Sequence, residues 1–186
     1  MELTDLIHLA RGGSRDAADR LFADVYANLH QIALKQLREQ PAPMGATSLV
    51  HEAYFRLSRP ESLSLQDRHH FYAVASRAMR QILIDRARQR LAQKRGGDAD
   101  VTDIDGLHDE PQAADNGNRL LALDQALTEL EALDARLAKL VELRFFGGLT
   151  LDEAADAAAV SRTTVKRDWR RARAWLHAAL GDASWA

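Results

Sequence analysis

The chain has 186 residues, with 25 lysines and arginines against 27 aspartates and glutamates, and it contains no cysteine. That length suits one large domain or two small ones, and the missing cysteines exclude disulfides, thiol nucleophiles and cysteine-based zinc sites. No apolar run approaches the ~20 residues of a membrane span, and the first residues lack the order of a signal peptide. We therefore expect a cytoplasmic protein with no membrane partner.

The net charge of −2 is the sum of opposed blocks. Residues 51–95 carry 10 basic and 4 acidic groups, and residues 161–186 carry 6 basic and 2 acidic groups. Between them, residues 96–118 carry 7 acidic groups and no basic group. Two separated basic blocks indicate contact with a polyanion at two places. Solvated surface helices also carry basic runs, so charge by itself leaves both interpretations open.

Apolar residues recur at helical spacing through residues 1–95, which predicts four helices there. A short first helix is followed by a long one that Ser14 can cap. Two further helices are predicted at 47–57 and 71–93. Because the joins between them are short, an antiparallel four-helix bundle is favoured.

Residues 96–118 have no helical apolar period and are rich in aspartate, which predicts a flexible acidic linker. The linker separates the first block, residues 1–95, from a second block, residues 119–186, for which four more helices are predicted. The predicted fold class is therefore all-α. It consists of two small helical domains, a four-helix bundle and a four-helix domain that ends in a helix-turn-helix.

The end of the second block carries the most specific motif. Thr150 followed by Glu153 predicts a capping box at the start of a short helix. A tight turn at Ala159 and Val160 then leads to Ser161, which is a good N-cap for a longer last helix. A short helix, a turn of three to four residues and a longer helix together form the helix-turn-helix plan.

The last helix places apolar and basic residues on different faces. Val165, Trp169, Ala172 and Leu176 form a stripe suited to packing on the preceding helices. The N-terminal end of such a helix enters the major groove, where arginine can bind guanine edges and threonine or lysine can hold phosphates. DNA contact is predicted for eight residues: Ser161, Arg162, Thr163, Thr164, Lys166, Arg167, Arg170 and Arg171.

These segments resemble the bacterial RNA polymerase sigma factors of the extracytoplasmic-function (ECF) group. The helix-turn-helix, GLTLDEAADAAAVSRTTVKRDWRRARAWL, is similar to the domain that reads the upstream promoter element. Two segments of the first block resemble the polymerase-binding helix (SLVHEAYFRL) and the helix that reads the downstream element (FYAVASRAMRQILIDRARQR). The resemblance implies an alternative sigma factor whose partners are core RNA polymerase and promoter DNA.

The resemblance also implies roles for residues of the first block. The clamp of the largest polymerase subunit would be bound by Leu49, Val50, Glu52, Ala53 and Arg56. Duplex contacts would come from Arg77, Arg80, Gln81 and Arg88, and a flipped base would be captured by Gln66, Asp67, Arg68 and His69. Flipping costs a few kcal/mol, which a stacking pocket offsets. A plain connecting loop is the alternative for the last four residues.

One departure from the group is the turn of the helix-turn-helix, where Ala159 replaces the usual glycine. A β-carbon at a left-handed position costs on the order of 1 kcal/mol. We therefore expect a slightly altered turn.

A second departure precedes the polymerase-binding helix, where the group has an acidic cluster and this chain has Gly45, Ala46, Thr47 and Ser48. We hypothesise that a Ser/Thr kinase phosphorylates Thr47 or, less favourably, Ser48. A phosphate adds a charge of about −1.5 to −2 at the positive end of the helix and would restore attraction to the clamp. The alternative is that the hydroxyl serves only as an N-cap.

Enzymatic chemistry is not indicated. There is no HExxH, no GxSxG and no glycine-rich phosphate loop, and adjacent histidines such as His69 and His70 point to different helix faces. We expect no catalytic residue, no metal and no cofactor. Two alternatives to the sigma factor stay open at this point, a conventional helix-turn-helix regulator with a helical sensor or dimerisation domain, and a helical scaffold without DNA contact.

Overall fold

The computed structural model describes residues 3–39, 45–57, 67–96 and 110–181. Within these ranges the chain forms helices and no strand, so the predicted all-α class is confirmed. None of the helices in the described ranges is long and apolar enough to cross a bilayer. The helices are α1 (Leu3–Arg11), α2 (Arg15–Glu39), α3 (Ala46–Leu57), α4 (Arg68–Gly96), α5 (Glu110–Leu133), α6 (Ala135–Phe145), α7 (Leu151–Ala157) and α8 (Arg162–Leu180).

The first four helices pack in chain order, α1 on α2, α2 on α3 and α3 on α4. The turn between α1 and α2 uses Gly13 at a φ of 92°, a region that glycine enters without steric cost. Ser14 then accepts a hydrogen bond from the Ala17 N–H at 3.3 Å, so the predicted cap of α2 is present. Fully buried residues from three helices, among them Leu29, Leu49 and Phe71, form the core.

The fifth helix begins earlier than the apolar pattern indicates. α5 starts at Glu110, so residues 110–118, predicted as linker, are helical. A β-carbon at the buried Gly117 would meet only ordinary contacts of 3.8 Å with Leu91 and 4.0 Å with Ala87, both on α4. Contact between Gly117 and α4, which a local apolar period does not reveal, therefore accompanies this part of α5. The predicted linker residues 97–109 lie outside the described residues.

The last four helices form the second block, with α5 on α6, α6 on α8 and α7 on α8. Asp134 caps α6 by accepting a hydrogen bond from the Leu137 N–H at 3.2 Å. α4 also packs against α5, α6 and α7. Buried residues of the first and second blocks consequently form one continuous apolar cluster, in which α4 is the shared element.

Candidate nucleic-acid interface

The short helix of the predicted helix-turn-helix begins with a complete capping box. Thr150 Oγ1 accepts a hydrogen bond from the Glu153 N–H at 3.2 Å, and Glu153 Oε2 accepts one from the Thr150 N–H at 2.7 Å. Two otherwise unpaired backbone donors are satisfied in this way. Because α7 has only seven residues, the cap matters for its formation.

The turn after α7 has the left-handed residue that the sequence suggested. Ala159 has a φ of 51°, and it is the one residue other than glycine with a positive φ in the described part of the chain. Ser161 then accepts a hydrogen bond from the Thr164 N–H at 3.1 Å and caps α8. The turn and cap together set the direction in which α8 leaves the domain.

The two faces of α8 are separated as predicted. Val165, Ala172 and Leu176 are buried, and Trp169 is half-buried beneath the Arg144 guanidinium, 4.8 Å from its ring centroid. Thr164 is half-buried. The other predicted DNA contacts are exposed: Ser161, Arg162, Thr163, Lys166, Arg167, Arg170 and Arg171. The helix therefore offers a continuous row of hydroxyl and cationic groups outward while its opposite face anchors it.

Ion pairs on this outer face are weak. Arg162 lies 3.2 Å from Asp152, and Arg171 lies 3.7 Å from Asp134, with both arginines more than half exposed. Exposed pairs of this kind contribute about 0–1 kcal/mol. These guanidinium groups can consequently exchange a carboxylate for a phosphate at little cost.

A buried aspartate holds α8 in place, and the sequence interpretation missed it. Asp168 is only 2% exposed, and its carboxylate accepts a hydrogen bond from Nη2 of Arg136 on α6 at 3.2 Å. The residue lies among the apolar positions 165, 169 and 172 of a helix whose other charged residues are all basic. An acidic residue on the buried stripe was the available sign that α8 is anchored by charge as well as by packing.

The duplex contacts predicted on α4 divide into two groups. Arg77 and Gln81 are exposed, and Gln81 donates a hydrogen bond to Asp85 at 2.9 Å. Arg80 is only 15% exposed and, like Arg88, is bound to a carboxylate of α5. Arg77, Gln81 and Arg88, whose side chain is 58% exposed, are open to a ligand, whereas Arg80 is engaged within the chain.

The loop residues before α4 are only partly described. Gln66 lies outside the described residues. Asp67 accepts a hydrogen bond from the His70 N–H at 2.8 Å, and this bond, followed by the nearby histidines, lowers the pKa of the Asp67 carboxyl. Asp67 thus stabilises the start of α4, His69 is exposed, and the Arg68 guanidinium lies 5.6 Å from the Tyr72 ring centroid.

The structure changes the interpretation of α3. Leu49, Val50 and Ala53, which were predicted to bind polymerase, are completely buried in the core, so we reassign them to packing. Their apolar side chains leave nothing for a partner to contact. Glu52 and Arg56 point toward α4 and make the ion pairs described next.

Two ion pairs join α3 to α4. Arg56 lies 3.0 Å from Asp85, and Glu52 lies 3.0 Å from Arg86. The outward face of α3 is formed instead by exposed residues, including Phe55 at 71% exposure. Any partner of α3 therefore meets a helix whose position is coupled to that of α4.

The first turn of α3 carries the two hydroxyls singled out above. The Leu49 N–H donates to the Gly45 carbonyl at 3.1 Å, so the helix begins after Gly45. Thr47 and Ser48 lie inside the first turn, and both are exposed. Their position one and two residues past the helix start does not fit the N-cap alternative, and the turn contains no acidic residue.

A cleft of about 540 Å³ lies where α4 meets α5 and α6, and it is lined in part by His70, Arg77, Arg80 and Lys139. Burial raises the pKa of the Glu142 carboxyl on its wall, and the charge of Arg80 opposes that rise. Among the described residues no three histidine, aspartate or glutamate side chains are grouped closely enough to hold a metal ion.

A family model described as ECF sigma factor matches residues 1–182. No curated protein sequence matches the chain significantly. The match includes the helix-turn-helix of α7 and α8 together with α3 and α4, so it favours the sigma factor over a conventional regulator or a scaffold. ECF sigma factors bind core RNA polymerase and promoter DNA, and they regulate transcription. The chain belongs to the ECF sigma factor family.

Proposed function

We propose that this ECF sigma factor, which directs transcription initiation, reads the upstream promoter element with the N-terminal half of α8. The observation that carries the assignment is the separation of faces on α8, where a buried stripe and the buried Asp168 orient an exposed basic row. Arginine in the major groove selects guanine, while lysine and threonine fix the register on the phosphates.

We assign the downstream element to α4 and the loop before it, with Arg77, Gln81 and Arg88 as the exposed contacts and Arg80 as a contact that becomes available on rearrangement. The polymerase surface is assigned to the outward face of α3, through Phe55 and the first turn, with Glu52 and Arg56 as supporting residues. The polymerase performs the chemistry, and we propose no catalytic residue, cofactor or metal in this chain and a cytoplasmic location.

The assignment is tested by transcription with purified core polymerase on a random-sequence promoter library, with sequencing of the RNA 5′ ends. We expect the sigma factor to select two conserved elements. Arg167→Ala should relax base preference in the upstream element only, whereas Arg20→Ala, an equal loss of charge on the exposed surface of α2, should leave both elements unchanged. Selection of the same upstream bases by Arg167→Ala and wild type would contradict the role of α8.

We further propose that Thr47 is the phosphorylation site of a Ser/Thr kinase, with Ser48 as the second candidate. Both hydroxyls are exposed in the first turn of α3, where backbone N–H groups and the helix dipole favour an anion and where no carboxylate is present. A phosphate there would supply the negative charge that the resemblance places before the polymerase-binding helix.

Binding of core polymerase to the wild type and to three variants of the protein tests the phosphorylation site. Thr47→Glu should bind more tightly than the unphosphorylated wild type, and Thr47→Ala should bind no better than it. Thr47→Gln, which has the shape of glutamate without the charge, serves as the matched control. Equally strong binding by Thr47→Ala and Thr47→Glu would refute the switch while leaving the assignment of α8 intact.

A further inference from the structure

A series of polar contacts leads from α3 to the exposed side chain of Gln81 on α4. Nη2 of Arg56 lies 3.6 Å from Oε1 of Glu52, one turn earlier on α3, and it donates a hydrogen bond to Oδ2 of Asp85 on α4 at 3.0 Å. The other carboxylate oxygen of Asp85, Oδ1, accepts a hydrogen bond from Nε2 of Gln81 at 2.9 Å. Asp85 therefore connects α3 to a side chain that the proposed function assigns to promoter DNA.

The carboxylate of Asp85 is held from two sides. Arg56 and Asp85 are both half-buried at the contact between α3 and α4, and a hydrogen bond between two charged groups is about twice as strong as one between neutral groups. Gln81 and Asp85 are four residues apart on α4, a spacing at which side chains on a helix meet. The packing of α3 on α4 therefore fixes the carboxylate that Gln81 faces.

The chemistry of the two groups determines how the Gln81 amide is oriented. A glutamine amide has N–H donors on its nitrogen and acceptor lone pairs on its oxygen, whereas a carboxylate has acceptors only. The amide can therefore face Asp85 with its nitrogen and not with its oxygen. Because Gln81 is exposed, its Oε1 is left as an acceptor that is turned away from Asp85.

An acceptor in this position distinguishes between bases. In the major groove, adenine and cytosine present an exocyclic amino group, whereas guanine and thymine present carbonyl oxygens and no amino group. The oxygen of Gln81 can accept a hydrogen bond from adenine N6 or cytosine N4. An amide turned the other way would instead direct its nitrogen at guanine O6 or thymine O4.

We propose that Asp85 is a positioning residue that sets the base preference of Gln81 in the downstream element. Asp85 fixes the orientation of the Gln81 amide, and Arg56 of α3 fixes Asp85. The base that meets Gln81 is then one that carries an amino group, adenine or cytosine. The proposal rests on the assignment of Gln81 to promoter DNA made under the proposed function.

Asp85→Asn tests the orientation because it should reverse it. Arg56 can donate only to the oxygen of the new asparagine, whose nitrogen then faces Gln81 and turns the Gln81 oxygen inward. In transcription from the random-sequence library, the base preference at one downstream position should shift by about fivefold or more from adenine or cytosine toward guanine or thymine. Asp16→Asn makes the same substitution in the exposed pair with Arg20 on α2, and it should leave every preference unchanged.

Double variants show whether Asp85 acts through Gln81. Gln81→Ala should relax the preference at that position, and adding Asp85→Asn to Gln81→Ala should change it no further. The same base preference in wild type and Asp85→Asn, or a shift by Asp85→Asn that persists without Gln81, would overturn the positioning role. Failure of Gln81→Ala to alter the downstream element would instead overturn the assignment of Gln81 under the proposed function.

A measurement on the free protein tests the hydrogen bond itself and requires neither polymerase nor promoter. In NMR spectra of the ¹⁵N-labelled protein, the Gln81 side-chain amide is identified by its absence from Gln81→Ala. Asp85→Ala should move one of the two Nε2 proton resonances upfield and leave the other nearly in place, because only one proton is bonded to the carboxylate. Equal small shifts of both protons would overturn the proposal, and melting temperatures would verify that each variant is folded.

Discussion

At the scale of single residues, the β-carbon of Ala159 makes the backbone conformation of the turn between α7 and α8 less favourable. Its φ of 51° lies in the left-handed region, where an L-residue is disfavoured by about 1–2 kcal/mol. The surrounding helix-turn-helix must therefore stabilise this conformation through α7 and α8.

Replacing this alanine by glycine removes the unfavourable steric contribution of the β-carbon. Ala159→Gly should raise the free energy of unfolding by about 0.5–1 kcal/mol, after allowance for the greater freedom of glycine in the unfolded chain. The matched control is Ala158→Gly, at a φ of −92°, which should lower stability by a similar amount. Urea denaturation measures both, and destabilisation by Ala159→Gly would contradict the strain.

A second prediction at this scale concerns Asp168, which is buried while its partner Arg136 is half-exposed. Asp168→Ala leaves Arg136 without that partner, but water can reach the guanidinium, so we expect a loss of about 1–3 kcal/mol in stability. Asp152→Ala, which breaks an exposed pair with Arg162, should cost less than about 0.5 kcal/mol. Thermal unfolding distinguishes the two, and equal small effects would show that Asp168 does not anchor α8.

At the scale of elements, α4 is the helix on which both blocks converge. Arg56 and Glu52 join it to α3, while Arg80 and Arg88 join it to α5. Movement of α3 on binding a partner therefore changes the environment of a helix that also contacts the second block.

Because of Glu142, the stability of the packing between α4 and the second block depends on pH. Its carboxyl faces Arg80 and Arg77 of α4 and Glu131 of α5, and burial raises its pKa despite the arginines. The folded chain thus holds this proton more tightly than the unfolded chain does. Stability contributed by Glu142 is present at low pH and is lost as the pH rises from about 4.3, the usual value for glutamate, through the raised pKa.

Comparison of the wild type with Glu142→Gln isolates that contribution. As the pH rises through this window, the wild type should lose free energy of unfolding relative to Glu142→Gln, as measured by urea denaturation at a series of pH values. Glu129→Gln removes a charge from the exposed surface of α5 and controls for charge alone. Parallel curves for the wild type and Glu142→Gln would contradict the effect of burial.

The elements themselves were largely predictable from the sequence, because apolar spacing and caps are local. The capping box at Thr150, the N-cap at Ser161 and the buried stripe of α8 followed from residues within one or two turns of each other. The start of α5 at Glu110 and the pairing of Arg80 with Asp124 did not, since they depend on how α4 and α5 approach each other. Arg80 and Asp124 are 44 positions apart, and a pair so distant in the chain produces no periodic pattern in the sequence.

At the scale of the whole molecule, the net charge of −2 is the sum of two basic surfaces and several acidic segments. The basic row on α8 is exposed to solvent. It should therefore dominate the electrostatic attraction of the protein for DNA. On α4, Arg77 is exposed and adds to that attraction, whereas the largely buried Arg80 is paired with Asp124 of α5.

The salt dependence of DNA binding measures the electrostatic contribution of one basic residue at a time. Lys166→Gln, on the exposed face of α8, should weaken binding of the holoenzyme to a selected promoter and lower the slope of log affinity against log salt by about 0.9. Arg20→Gln, on α2, should leave the slope unchanged. An unaltered slope for Lys166→Gln would remove that lysine from the phosphate contacts.

The connection between α4 and α5 comprises residues 97–109, thirteen positions between Gly96 and Glu110. A short covalent connection gives two surfaces an effective concentration on the order of millimolar, however dilute the protein is. An interface too weak to hold separate chains together can therefore keep one chain closed. Doubling the number of connecting residues would alter the free energy of closure by only about 0.6 kcal/mol, whereas proteolytic cleavage within them would release the second block by dilution.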